Sequence, residues 1–297
     1  MNAVFSWNLL ADIRDMWSLP FMVNAFRAGT LVAVLAAAAG WFMVLRRQSF
    51  AGHTLAIVGF PGAAATVWLG VGVSAGYFTA CIVAALVIAA LPRRTGQGYP
   101  EESAVIGTVQ AFALASGMLF VALYKGFLNG TNALLFGSFL GITRAQVLTV
   151  GVVALVVLAL MAVIGRPLLF ASVDADVARA HGLPTRLLDT VFLIVLGATA
   201  AEVSQITGAL LVFALLVLPA ATAQLLTARP AASLALAVIL SLMTVWAALF
   251  VAYYSPYPIG FWLTTIAFGG YVIAAAAAAV GYRAHRRSAV VPVGASR

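Results

Sequence analysis

Apolar stretches of bilayer-crossing length follow one another almost without pause through this chain. They cover residues 21–45, 53–71, 77–91, 104–123, 147–164, 187–201, 209–226, 234–254 and 262–282. A helix needs about 20 predominantly apolar residues to cross a hydrocarbon core, somewhat fewer at the short end. Inside lipid the backbone has no water to bond, so a spanning segment must be a helix or part of a closed barrel. Stretches this long fit helices. Only 8% of the 297 residues are charged and 64% are hydrophobic, against about 25% charged in a soluble domain. The expected fold is an all-α polytopic membrane protein with about nine spans.

Basic residues concentrate in cytoplasmic loops, which orients such a chain. Nine spans put the termini on opposite sides. With the N-terminus outside, Arg46, Arg47, Arg93, Arg94, Arg166, Arg179, Arg186, Arg229, Arg283, Arg286, Arg287 and Arg297 all lie inside. Arg14, Arg27, Lys125 and Arg144 lie outside, so the count is twelve against four. The sequence therefore predicts an outside N-terminus and a cytoplasmic C-terminus in the cell membrane. The net charge of +8 has the same origin. No long basic run with interleaved aromatics accompanies it, so membrane lipid is an expected partner and nucleic acid is not.

Residues 1–20 mix Phe5, Trp7, Leu9, Leu10, Ile13 and Trp17 with Asp12, Arg14 and Asp15. That pattern suits an interfacial segment with tryptophans at headgroup depth. No basic start followed by an apolar core marks a cleavable signal. Residues 21–282 form one membrane domain, and residues 283–297 read as a mobile basic cytoplasmic tail. The single cysteine, Cys81, lies in an apolar run. It rules out an intrachain disulfide and CxxC metal sites and reads as a small core residue.

The longest polar interruption is 165–189, GRPLLFASVDADVARAHGLPTRLLD. Ser172 or Asp174 can cap a short helix there, Val173 and Val177 give it an apolar edge, and Gly182 followed by Pro184 ends it. Such a helix is too short to stand alone, so it must lean on the membrane-embedded body or on a partner. The charge count places it in the cytoplasm. A second irregular stretch, 127–142, is too apolar for a loop and too short for a span. Gly126/Gly130 and Gly137/Gly141 are spaced for close helix contact. It reads either as a re-entrant or lateral helix buried against protein, or as a loose connection outside.

Little in the chain can run enzyme chemistry. The one lysine, Lys125, follows Tyr124, so no GxxxxGK[ST] phosphate loop exists. No HExxH, GxSxG or paired-carboxylate arrangement is in place. Ionisable residues inside a span cost roughly 2.5–3.5 kcal/mol or more at the helix centre and are functional candidates by default. His53 and Glu202 qualify, and imidazole and carboxylate suit a divalent transition metal. Their depths differ: His53 lies about 9 Å beyond Arg47, and Glu202 about 22 Å beyond Leu187. The Gly59-Phe60-Pro61-Gly62 run predicts a break in the middle of the second span. Asp189 and Arg186 lie near the inner boundary, either snorkelling or forming an i,i+3 pair. Glu101 and Glu102 suit the cytoplasmic start of the fourth span. Pro219 removes a backbone hydrogen bond within the seventh span, as a gating hinge or a static kink, with Thr222 placed to satisfy a freed carbonyl.

Four segments together carry a family resemblance. They are VLRRQSFAG at 44–52, the following Pro61-Gly62, SVDADVARAHGLPTRLLD at 172–189, and QITGALLVFALLVLPAATA at 205–223. In this order and spacing they resemble the permease subunits of ATP-binding-cassette importers for zinc, manganese or iron, over residues 20–282. The resemblance implies a transport subunit rather than an enzyme, with no cofactor of its own. ATP would be used by a separate cytoplasmic ATPase. An extracytoplasmic metal-binding protein and a second permease, identical or related, would complete the assembly. It also implies that Asp174, Asp176, Ala178, Arg179 and Gly182 form the helix that docks on the ATPase. The family's second span commonly reads Ser-x-x-Gly-Asp-x-x-Ser-His before Pro-Gly, with Asp and His as metal contacts. Here His53 stands for the Asp, and Ala56-Ile57 stand for the Ser-His. Either the ligand set has moved to involve Glu202, or the cargo is a metal chelate or another small molecule. A stand-alone secondary transporter would want several membrane carboxylates, and Glu202 alone is deep within a span; no inverted repeat is visible.

Overall fold

The computed structural model describes residues 9–90, 100–124, 134–137 and 139–289, and the regular structure among them is entirely helical. Eight of the described helices are long and apolar enough to cross a membrane: α2 (Pro20–Leu45), α3 (Ser49–Leu69), α4 (Val73–Ala90), α5 (Pro100–Leu123), α6 (Arg144–Val173), α8 (Thr185–Thr207), α10 (Pro230–Tyr254) and α11 (Ile259–Ala289). A shorter apolar helix, α9, runs from Val212 to Leu226. Two small helices flank the spans, α1 (Leu9–Trp17) before the first and α7 (Ala175–Ala180) between α6 and α8. Each of the nine apolar stretches coincides with one of the long helices or with α9. The predicted tail begins at 283, whereas helical backbone in α11 continues to Ala289.

Lipid tails are as apolar as leucine, so helices in a bilayer associate by close packing rather than by the hydrophobic effect. The sequence supplies small residues for this. Ala25, Ala28, Ala33, Ala36, Ala37 and Ala39 of α2 are fully buried. Gly40 brings the α2 backbone against the Leu216 carbonyl of α9. Two-thirds of the apolar windows of α2, α3 and α8 are buried, against 17% for α5 and α11. The first three therefore form the interior and the last two lie at its outer surface.

Glycine packing also corrects the expected break in the second span. α3 continues without interruption through Pro61. Gly62 lies against the Gly76 backbone of α4, and Gly59 lies under the ring of Tyr77. These glycines let α4 approach; they do not end the helix.

α9 has 15 residues, about 22 Å of helix, which is short of a hydrocarbon core of about 30 Å. Gly40 is near the C-terminal end of α2, so its contact with Leu216 places the start of α9 beside that span rather than beyond its end. The turn before it is completed by the described part of 127–142. Ala209 N–H bonds the Leu134 carbonyl at 3.3 Å and Leu210 N–H the Leu135 carbonyl at 3.2 Å. Tyr77 Oη donates to Leu134 O at 3.1 Å, and Asn24 Nδ2 to Ile142 O at 3.2 Å. Phe139 is 1% exposed. Gly137 and Gly208 meet backbone to backbone at φ values of +76° and +83°, a conformation open to glycine because it lacks Cβ. The described part of this stretch thus packs on protein through Phe139, Ile142 and its backbone bonds, with Phe136 exposed; irregular backbone inside a membrane can be satisfied in this way. Lys125, Gly126 and Gly130 lie outside the described residues.

α1 packs on α2 and on the end of α10. Its Met16 and Asp12 are buried and its Ile13 and Trp17 exposed, and Tyr254 Oη donates to the Asp12 carbonyl at 3.2 Å. Phe5 and Trp7 lie outside the described residues.

Candidate functional site

The polar interruption at 165–189 folds as the end of α6, the six-residue α7 and the start of α8. Of the two residues expected to cap it, Asp174 does so. Its carboxylate accepts from Asp176 N–H at 3.0 Å and Val177 N–H at 2.9 Å, satisfying donors that a helix start leaves open. At the other end Gly182 takes φ +80°. Its N–H bonds Arg179 O at 2.9 Å, and Leu183 N–H bonds Ala178 O at 3.1 Å, the paired closure that a left-handed glycine permits. Ala178 is fully buried and anchors α7. Asp174, Asp176 and Arg179 are exposed, and Arg179 pairs with Asp176 one turn away. Val173 is 76% exposed and Val177 40%. An apolar edge among exposed charges, on a helix with little cohesion of its own, suits a protein partner.

Both flanks of α7 converge on Arg46. Its Nη1 donates to Ser172 Oγ at 3.0 Å, its Nη2 pairs with the Asp189 carboxylate, and its guanidinium stands 5.5 Å from the Phe192 ring centroid. The Arg46 side chain is 9% exposed. The sequence registers Arg46 only as an inside charge and as part of a motif, and it offers Arg186 as the partner for Asp189. The ion pair instead reaches across the fold to α2. A carboxylate at the depth of a basic cluster is a signal, but the choice of partner needs the helix arrangement.

His53 and Glu202 are not brought together. His53 lies four residues into α3, half-buried, with its ring 4.7 Å from that of Phe213 and its Nδ1 buried without a hydrogen-bond partner. Glu202 is 1% exposed on α8, and its Oε2 has no hydrogen-bond partner. Cys81 sets their relative height: its Sγ donates to Leu55 O at 3.3 Å, and its carbonyl lies against Gly197. Two residues down from Leu55 and five up from Gly197, at 1.5 Å per residue, separate His53 and Glu202 by about 10 Å along the helices. Ala56 and Ile57 are buried. No group of three or more His, Cys, Asp or Glu able to hold a metal occurs among the described residues.

α9 passes through Pro219 as one helix. The Thr222 hydroxyl donates to Leu218 O at 2.7 Å. The carbonyl that loses its donor to the proline is that of Leu215, four residues back, so Thr222 does not play the part the sequence suggests for it. A threonine hydroxyl in a helix bonds most easily to the carbonyl four residues before its own position.

Residues 18–278 match the family model described as ABC 3 transport family. The chain belongs to that family. The manganese transport system membrane protein MntC of Halalkalibacterium halodurans is 26% identical over 243 residues, 82% of each chain. The chelated iron transport system membrane protein YfeC of Yersinia pestis is 31% identical over 236 residues, 80% of this chain and 79% of that one. Among solved structures, PsaBC from Streptococcus pneumoniae in complex with Fab superposes with a TM-score of 0.79 at 24% identity, covering 90% of this chain and 95% of that one. The fold is accordingly that of an ABC permease. As a member of the ABC 3 transport family with its long apolar helices, the chain is a multi-pass transport protein of the cell membrane.

Proposed function

We propose that this chain is the permease of an ATP-driven importer of a divalent metal, manganese, iron or zinc. A separate cytoplasmic ATPase hydrolyses ATP, an extracytoplasmic metal-binding protein delivers the cargo, and a second permease, identical or related, completes the pathway. The observation that carries this reading is α7. It is a capped helix with an exposed apolar edge between two long spans, in a family member that has no phosphate-binding loop of its own. The relatives named for manganese and chelated iron support the cargo class. Asp174, Asp176, Arg179 and Gly182 face the ATPase on a helix that the buried Ala178 anchors from beneath, Pro219 shapes the gate, and His53 and Glu202 act as successive stations, offset by about 10 Å along the helices, rather than as one chelate. Weak, separate sites suit a pore, because transport requires release.

Uptake of radiolabelled manganese, iron and zinc by cells carrying the chain with an ATPase and binding protein tests this directly. His53→Ala and Glu202→Ala are expected to lower uptake or alter metal selectivity at unchanged expression. Wild-type uptake by the chain alone in liposomes, without an ATPase, would overturn the ATP-driven reading. A chelated metal is the second reading, favoured by the buried Ala56 and Ile57 where the resembling family carries polar ligands. It predicts that the free ions are poor substrates and that both substitutions leave uptake of the chelate unchanged.

A further inference from the structure

The turn between α2 and α3 is tight. Arg46 N–H bonds Phe42 O at 2.9 Å, Arg47 N–H bonds Val44 O at 3.0 Å, and Gln48 N–H bonds Met43 O at 2.9 Å. Arg47 closes it at φ +56°, the one left-handed residue other than glycine among those described. Such a conformation is unfavourable for an L-residue and persists because these three backbone bonds hold the turn in one shape. That shape aims Arg46 sideways at two places that are distant in sequence. One is Ser172, two residues before the cap of α7; the other is Asp189, in the first turns of α8. Beneath the guanidinium, Phe192 stacks and in turn meets Phe42, with ring centroids 6.4 Å apart. Beyond the turn, Gly52 of α3 lies against Met43 Sδ of α2, one residue before His53. A continuous set of contacts thus runs from both flanks of α7 through Arg46 into the helix that carries His53.

We propose that Arg46 is the joint that passes movement of α7 to the α2–α3 turn, a positioning residue for transport rather than a ligand of the cargo. A planar guanidinium with several donors in a fixed fork can hold a hydroxyl and a carboxylate at once while stacking on a ring, which an ammonium cannot do. Moving α7 toward or away from the membrane displaces Ser172 and Asp189 together, because one side chain holds both. The stiff turn then carries that displacement to α3. This rests on the reading of α7 as the ATPase contact.

The experiment uses the full permease with its ATPase and binding protein in proteoliposomes. It compares wild type with Arg46→Lys, Asp189→Asn, Phe192→Leu and the exchange Arg46→Asp/Asp189→Arg. Assembly, melting temperature, ATP hydrolysis and metal uptake are read in each. Arg46→Lys is expected to assemble and hydrolyse ATP, with uptake per ATP reduced on the order of tenfold, a usual size for coupling between sites. Asp189→Asn and Phe192→Leu should lower the same ratio by less, and the exchange should partly restore it. An unchanged ratio in Arg46→Lys and Asp189→Asn overturns the joint. So does a uniform loss of melting temperature and assembly in all the variants, since that marks a purely structural clasp. If wild type itself neither assembles with an ATPase nor links uptake to hydrolysis, the failure belongs to the proposed function instead.

Discussion

Arg47 holds φ +56° with an exposed side chain. Replacing it with glycine relieves a left-handed strain of about 1–2 kcal/mol and adds about 0.5–1 kcal/mol of chain entropy to be lost on folding. Relief of the strain outweighs the added entropy. Arg47→Gly is therefore expected to raise the thermal stability of the detergent-solubilised protein modestly, whereas Gly182→Val, at φ +80°, is expected to lower it. Equal melting temperatures for both variants would show that the turn conformations do not limit stability. At this scale the sequence was informative about residue type and silent about partners. Glu202 stands out in the sequence because a carboxylate deep in a span is costly, and it is indeed buried with an unsatisfied oxygen. Arg46 does not stand out, because an arginine at the end of a span is ordinary. Its meaning comes from Ser172 and Asp189, which lie more than a hundred residues away.

Among the elements, α7 shows how much local chemistry can specify. Its cap, its stop and its apolar edge are all written in SVDADVARAHGLP, since each depends on residues within a few positions of one another. Asp174→Ala removes two capping bonds, a loss of about 1 kcal/mol for a helix with little stability of its own. The expected result is weaker co-purification with the proposed ATPase partner at unchanged membrane expression. Asp174→Asn should retain it, because asparagine caps as well as aspartate. If Asn fails as badly as Ala, charge rather than capping is the property that the contact needs. The second span shows the opposite limit. Its Gly59, Pro61 and Gly62 look like a break when read locally, yet α3 runs through them because Gly76 and Tyr77 of α4 fill the space the glycines leave. Likewise the pairing of 134–135 with 209–210 depends on two segments whose proximity no local pattern reveals.

For the whole molecule the parity of crossings turns on α9. Hydrophobicity delineates the long spans well, because the bilayer imposes one length on all of them. It treats α9 as an ordinary span, although the helix has only 15 residues. The Gln224 side chain bonds the Trp41 carbonyl at 2.8 Å near the C-terminal end of α2, so the two helices end close to one another. Between Ala175 and Pro256 lie α8, α9 and α10. If α9 completes the return to the cytoplasm, the chain crosses three times and the two residues lie on opposite sides. If α9 instead turns back to the side where α8 ends, the chain crosses twice and they lie on the same side. Cys81 is the one cysteine and is buried, so Cys81→Ala provides a clean background for labelling. In that background Pro256→Cys should react with a membrane-impermeant maleimide added to intact cells, and Ala175→Cys should react only after permeabilisation. Labelling of both from one side would remove α9 from the crossings and reverse the placement of every helix after it. It would also take Arg283, Arg286 and Arg287 at the C-terminal end of α11 out of the cytoplasm, against the charge bias that oriented the chain.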